Sequence, residues 1–216
     1  MSRVASSSRA DASRPDPGVV ALDRLSERLL GAVPGLRVDV ARSAAELAEA
    51  YRLRYEQVVG HGWAGRDALP DGAERDAHDD AAVHVAAWDA GELVGTVRLV
   101  LPAPGRLLPV EEAFGIEIEP RGAVVEVGRL VIVESRRGDE AHRAWGALFA
   151  RAWLATRERG FTLLGGAASP GLVERLRAVG LPFEILGPAV PYWGQLRHPV
   201  RLDPAGSRPG WFGPTA

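Results

Sequence analysis

Two charged residues three apart interrupt the most apolar stretch of this 216-residue chain, Glu126 and Arg129 within Val124-Val125-Glu126-Val127-Gly128-Arg129-Leu130-Val131-Ile132-Val133. Mostly β-branched, the stretch reads as a strand buried on both faces. Taking a carboxylate and a guanidinium out of water costs several kcal/mol per ion unless they are paired or used. Two readings follow from the residues alone. One is a structural Glu126–Arg129 ion pair. The other is a functional site opened at mid-strand, with Gly128 allowing a bulge or the close approach of a ligand. Arg54 on the apolar stripe of a helix and Arg98 among Val97, Leu99 and Val100 are further charges inside apolar elements. Glu74, Asp76 and Asp79 end a long turn-rich segment that also holds Trp63. This inventory suits proton transfer and the holding of a polar substrate.

Other chemistries are excluded or weak. Cysteine is absent and every residue of the Lys+Arg count is arginine, so thiolate nucleophiles, cysteine metal sites and lysine Schiff bases are out. The segment GGAASPG around Ser169 is not a nucleophile elbow. Asp76, His78, Asp79 and Asp80 could ligate a metal, but no other histidine has a supporting spacing, so no metal is expected. His84, inside a strand, reads as a satisfied or exposed residue.

The elements that must position these groups follow from periodicity and turn chemistry. Residues 19–33 carry Leu22, Leu25, Leu29 and Val33 at helical spacing, and Leu36–Val40 alternates as a half-buried strand. Ser43 with Glu46 three residues on predicts a capping box and a helix to about Val59. Residues 60–80 form a loop of a length that is usually functional or disordered, and Trp63 argues against simple disorder. A hairpin over Val83–Ala87 and Leu93–Leu101 turns at Asp89–Glu92, and Val110–Phe114 makes one helical turn. After the central strand comes a long helix to about Arg159, with Trp145, Leu148, Phe149 and Ala152 as its buried stripe and its arginines off it. Phe161–Gly165 is a short strand, and Ser169-Pro170 starts a helix to Val179. Phe183–Leu186 and Gln195–Leu202 are the last strands, around Pro188–Gly194. Strands in series with helices between them give a three-layer α/β domain.

Apolar content of 46%, charged content of 25% and a net charge of −2 are ordinary globular values that favour neither nucleic acid nor an anionic membrane. No apolar run is long enough to span a membrane. The Ser/Arg/Ala-rich start lacks an apolar core for secretion, and Asp11 and Asp16 argue against a transit peptide, so a cytoplasmic protein is expected. The division expected is a disordered tail over 1–18, one domain over 19–203 and a loose tail over 204–216, with Trp211-Phe212 a possible docking pair.

Read in order, Leu53-Arg54, Gly62-Trp63, Glu74-x-Asp76-x-x-Asp79, Leu93-Val94-Gly95-Thr96-Val97-Arg98, Phe114 and Glu126-x-x-Arg129 resemble the acyl-homoserine-lactone (autoinducer) synthases. They are similar also to the N-acyl amino acid synthases; both belong to the GNAT superfamily of N-acyltransferases. The resemblance covers roughly residues 36–190. It departs in the Arg54–Trp63 spacing, about one residue short, in Val58 where the family has phenylalanine, and in Gly128 where it commonly has serine. That glycine and Leu107-Leu108-Pro109-Val110-Glu111 look closer to the N-acyl amino acid synthases.

The resemblance implies a GNAT-like α-β-α sandwich on a mixed, mostly antiparallel sheet. It implies transfer of a fatty acyl group from a thioester to the amine of an amino-acid-like acceptor. Glu126 and Arg129 would be catalytic, Glu126 as base, directly or through water. Arg54, Arg98, Arg129, Glu74, Asp76 and Asp79 would form the polar network holding the acceptor, with Trp63 and Phe114 at the substrate. No bound cofactor is implied, only an acyl thioester co-substrate. Coenzyme A-dependent GNAT enzymes resemble one another in a Gln/Arg-x-x-Gly-x-Gly/Ala loop after the central strand. Here Glu140 and His142 fall on its small positions, which favours acyl-carrier protein as donor, docked on Arg136, Arg137, Arg143 and Arg151. The protein would be a monomer or homodimer. The alternatives are an acyl-homoserine-lactone synthase using S-adenosylmethionine, a coenzyme A-dependent small-molecule N-acetyltransferase, and a catalytically inactive GNAT-like binding module.

Overall fold

The Asp16 carboxylate accepts hydrogen bonds from the Gly18 and Val19 amides and starts helix α1 (Pro17–Gly31), two residues before the apolar periodicity places it. The computed structural model describes residues 16–136 and 138–206. Most of the expected N-terminal tail, Arg137 and the Trp211-Phe212 pair therefore lie outside the described residues. Pro204 is buried, and its carbonyl packs against Gly18.

Strand β1 (Leu36–Val40) leads to α2 (Ala44–Gly60), which begins with both reciprocal bonds of the Ser43–Glu46 capping box. Strands β2 (Val83–Asp89) and β3 (Glu92–Val100) form the hairpin. Its loop is only Ala90-Gly91, both with positive φ, the two-residue geometry that matches strand twist. The short helix α3 (Pro109–Phe114) precedes β4 (Val124–Ile132), the charged central strand. Helix α4 (Gly138–Glu158), β5 (Leu163–Ala168), α5 (Pro170–Ala178), β6 (Phe183–Ile185), β7 (Val190–Tyr192) and β8 (Gln195–Leu202) complete the order. Strand β7 lies within Pro188–Gly194, between the two last strands expected from sequence.

The sheet runs β1-β2-β3-β4-β5-β8-β6, with β7 paired to β8, and among the described residues its one parallel pair is β4–β5. It is a mixed, mostly antiparallel sheet between helical layers. Val125 and Leu164 face α4 and α5 in the main core, while Val124 and Val100 face α3 in a second cluster. Helix α4 is buried more widely than its expected stripe. Helix α1 covers its back, with Trp153 Nε1 donating to Asp23 at 2.7 Å, so Trp153 is fully enclosed. Among the described residues no helix is long and apolar enough to cross a membrane.

Strand β4 is not buried throughout. Val124, Val125 and Glu126 are buried, and the residues after them are only half-buried. The parallel ladder with β5 ends at Glu126↔Gly165, so the rest of β4 has no neighbour on that side. On the other side, Arg98 pairs with Gly128 and Thr96 with Val131, which leaves one extra residue on β4. This bulge puts Arg129, not Gly128, in the left-handed region at φ 53°.

Candidate active site

Arg54 turns inward from α2 and is 1% exposed. Its Nε donates to Glu74, and Nη1 and Nη2 donate to the two oxygens of Asp79 at 2.6 and 3.1 Å. Arg98 on β3 donates from Nη1 to Asp76 at 2.7 Å and to Asp79 at 3.0 Å. Arg129 donates to Glu74 and to Asp76, each at 3.1 Å. The six side chains close a ring in which every arginine bridges two carboxylates and every carboxylate two arginines. Its formal charges cancel, which is how so many ions tolerate burial. The ring also ties down the long loop, since the Asp76 amide donates to Asp79 at 2.7 Å and the Glu74 amide to the Tyr51 carbonyl at 3.0 Å. Burial acts to raise the Asp79 carboxyl, yet bonds and charge from Arg54 and Arg98 hold it at about 2.

Glu126 stands outside this ring. The structural Glu126–Arg129 pair suggested by their spacing is not formed, because the bulge swings Arg129 toward Glu74 and Asp76. Glu126 instead accepts a hydrogen bond from the Val110 amide at 2.7 Å and is 4% exposed. Burial raises its carboxyl to about 7, against smaller opposing effects of the Val110 N–H, Arg98 and Arg129. A carboxyl poised there can take a proton near neutrality.

Where β4 and β5 part, two cavities meet. One, about 140 Å³, lies toward α4 and α5 and is walled by Trp145, Phe149, Leu172, Leu176 and Phe183. The other, about 90 Å³, lies toward α2 and holds Arg54, Glu74, Glu126, Trp63, Tyr192, Trp193 and Arg197. Gly128, Arg129, Leu130, Ala167 and Arg197 line both. Gly166 lets β5 stay close to β4 just beyond their last pair, since a Cβ there would sit 2.6 Å from the Val127 carbonyl oxygen. A larger cavity of about 530 Å³ lies between Pro102–Leu108 and Glu117–Val124 and holds none of the ring residues.

Residues 53–145 match the sequence profile of the acetyltransferase (GNAT) domain. The fold is GNAT-like. Among solved structures, it is similar to TofI, whose structure is a ternary complex with an inhibitor and MTA, at 26% identity and a TM-score of 0.61, covering 78% of this chain and 91% of that one. BjaI, a CoA-dependent acyl-homoserine lactone synthase solved with MTA, shares the fold at 22% identity and a TM-score of 0.63, over 82% and 86% of the two chains. FeeM, an N-acyl amino acid synthase from uncultured soil microbes, does so at 16% identity and a TM-score of 0.58, over 82% and 92%. No curated protein matches the chain in sequence.

Of the residues singled out by sequence, Arg54, Glu74, Asp76, Asp79, Arg98 and Arg129 come together in the ring, and Glu126 and Trp63 stand beside it. Phe114 does not line the α2-side cavity; its ring packs 5.4 Å from that of Tyr192, which does. The described arginines proposed for a carrier, Arg136, Arg143 and Arg151, do not form one free face. Arg136 binds Asp89, and Arg151 binds Asp39 at 3.0 Å and Glu158 at 2.9 Å, which leaves Arg143 exposed. Asp76 and Asp79 face arginines and His78 faces Glu112 at 3.2 Å; among the described residues no group could hold a metal ion. His84 is buried, not exposed: Nε2 lies 3.5 Å from Tyr51 Oη and from Asp79, and Nδ1 has no partner among the described residues. Burial keeps its pKa below the usual histidine value.

Sequence reasoning missed Tyr192, Trp193 and Arg197. The signal was there in Tyr192-Trp193-Gly194, a turn tripeptide ahead of a strand. Trp193 (φ 48°) and Gly194 (φ 67°) form the tight β7–β8 turn, and Trp63 packs so closely on Gly194 that a Cβ there would lie 2.0 Å from its ring.

Proposed function

We propose that the protein moves a fatty acyl group from a thioester donor to the α-amine of an amino-acid-like acceptor, giving an N-acyl amino acid. The observation that carries this reading is Glu126, an enclosed carboxyl raised to about 7, lining a polar cavity that shares Gly128, Arg129 and Leu130 with an apolar one. The acyl chain would enter along Trp145 and Phe149, whose rings stack 5.5 Å apart. The acceptor would lie among Trp63, Trp193 and the ring. Its nitrogen attacks the thioester carbonyl, its proton passes to Glu126, and the C–S bond breaks to give a thiolate that takes the proton back from Glu126, directly or through water, and leaves as the thiol. Backbone amides of the bulged, unpaired part of β4 are suited to the oxyanion.

The donor we assign is an acyl-carrier protein. Asp139 and Glu140 are exposed in the first turn of α4 and complement its dipole. They would repel a pyrophosphate arriving at the same end, where other proteins bind one. This support comes from the acidic turn, since two of the arginines offered to a carrier are already paired within the chain.

A second reading, acyl-homoserine-lactone synthesis from S-adenosylmethionine, is favoured by the likeness to BjaI, an acyl-homoserine lactone synthase also solved with SAM and isopentyl-CoA. Mass spectrometry of products from matched acyl-carrier and acyl-coenzyme A thioesters, with amino acids and S-adenosylmethionine as acceptors, tests both. An N-acyl amino acid is expected, formed faster from the carrier. A homoserine lactone would move the assignment to the second reading, and no N-acyl product from any acceptor would refute the transferase reading.

A further inference from the structure

Not every charge of the polar cavity is paired. The three arginines and three carboxylates of the ring pair with one another, and Glu126 accepts the Val110 amide with no arginine bonded to it among the described residues. Arg197 remains. It lines both cavities from β8, just past the end of its pairing with β5. Among the described residues no carboxylate lies within salt-bridge distance of it, and its Nε is enclosed with no hydrogen-bond partner. An arginine merely reaching for water would keep that nitrogen wet. Its guanidinium carbon sits 5.6 Å from the centre of the Trp63 ring, a contact that holds the group in place without neutralising it. Burial and the neighbouring Arg129 both depress its pKa, so an arriving anion would relieve an existing electrostatic cost.

We propose that Arg197 is the specificity residue of the acceptor cavity and binds the acceptor's α-carboxylate. The acceptor class is then an amine that carries a neighbouring carboxylate, not a simple amine. This rests on the N-acyltransferase reading and deepens it. Glu126 and Arg197 line the same cavity of about 90 Å³, so the amine and carboxylate of one small molecule can reach both. Guanidinium suits the task because its fork meets two carboxylate oxygens at once. Arg129 is less suited, because Glu74 and Asp76 already occupy its donors.

The test compares α-amino acids with their carboxamides, which keep the amine and lose the anion, in the wild type, Arg197→Met and Arg197→Lys. For the wild type, the acid should be preferred over its amide. Arg197→Met should lower kcat/KM for the acid by roughly 10- to 100-fold, the usual worth of a charge-assisted bond, chiefly through KM. The amide should change little, and Arg197→Lys should recover part of the loss. Quenching of tryptophan fluorescence by the same acids and amides reads binding without turnover, since Trp63 and Trp193 line the cavity. Melting temperatures show whether the variants fold; Arg197→Met should melt no lower than wild type. An unchanged acid-to-amide ratio in Arg197→Met, in turnover and in quenching, would overturn the assignment. Absence of any N-acyl product from the wild type would instead refute the transferase reading, and the quenching ratio alone would then decide Arg197.

Discussion

The Arg129 guanidinium lies 4.2 Å from the centre of the Trp193 ring, and both residues hold left-handed backbone, at φ 53° and 48°. Neither is glycine, and each such residue costs about 1–2 kcal/mol. One belongs to the β4 bulge and the other to the β7–β8 turn, so two strained segments meet across the polar cavity. Strain persists where surrounding structure fixes it, often at sites that bind or react. Trp193→Gly should therefore relieve the backbone and remove the ring from Arg129. Melting is expected to change by no more than about 1 kcal/mol in stability, while KM for the acceptor rises several-fold. A variant with normal KM would remove Trp193 from the acceptor site.

The ring makes a graded prediction. Asp79 is buried between Arg54 and Arg98, whereas the Asp76 side chain is 33% exposed. Asp79→Ala should cost about 3–5 kcal/mol because it strands two buried cations. Asp76→Ala should cost clearly less, since water can reach its site. Denaturant titration of both variants gives the order, and equal losses would contradict it.

These charges were the most legible part of the sequence. Arg54, Arg98, Glu126 and Arg129 each break an apolar run, and a charge in such a place needs a partner or a use. Their actual partners were not legible from spacing. Glu126 and Arg129 look paired at three residues apart, but the bulge separates them, and a bulge is set by cross-strand register that one strand does not reveal. The turn that supplies Trp193 escaped notice for a local reason: β7 is three residues long and contains Pro191, too short for alternation to register. Trp153 was overlooked because the second buried side of α4 exists only once α1 packs on it.

The close approach of β5 to β4 at the edge of the gap depends on Gly166. A methyl group there would meet the Val127 carbonyl oxygen at 2.6 Å, and backbone cannot yield cheaply. Gly166→Ala should lower stability by about 1–3 kcal/mol and reduce turnover per folded molecule by altering the gap. Thermal melting with active-site-normalised rates checks this; full activity would show that the gap tolerates more movement.

Glu126 makes stability depend on pH with a definite sign. Its folded pKa, about 7, lies above the usual carboxylate value of 4.5. The folded state therefore binds the proton more tightly, and this contribution is present below about 4.5 and lost as pH rises to about 7. The magnitude is of order 3 kcal/mol. Asp79, held at about 2, acts oppositely and removes stability as pH falls below its usual 3.8. Glu126→Gln should flatten the decline between pH 4.5 and 7 and leave the acid side unchanged, as read by denaturant titration across pH.

The central claim, that Glu126 takes the acceptor's proton, is tested most directly by the pH profile of kcat/KM for amine acylation in wild type and Glu126→Gln. The wild type should rise to a plateau through a limb near pH 7. The variant should fall by about 10²-fold or more and lose that limb, while remaining folded. A folded Glu126→Gln enzyme with near-normal turnover and the same limb would contradict the account.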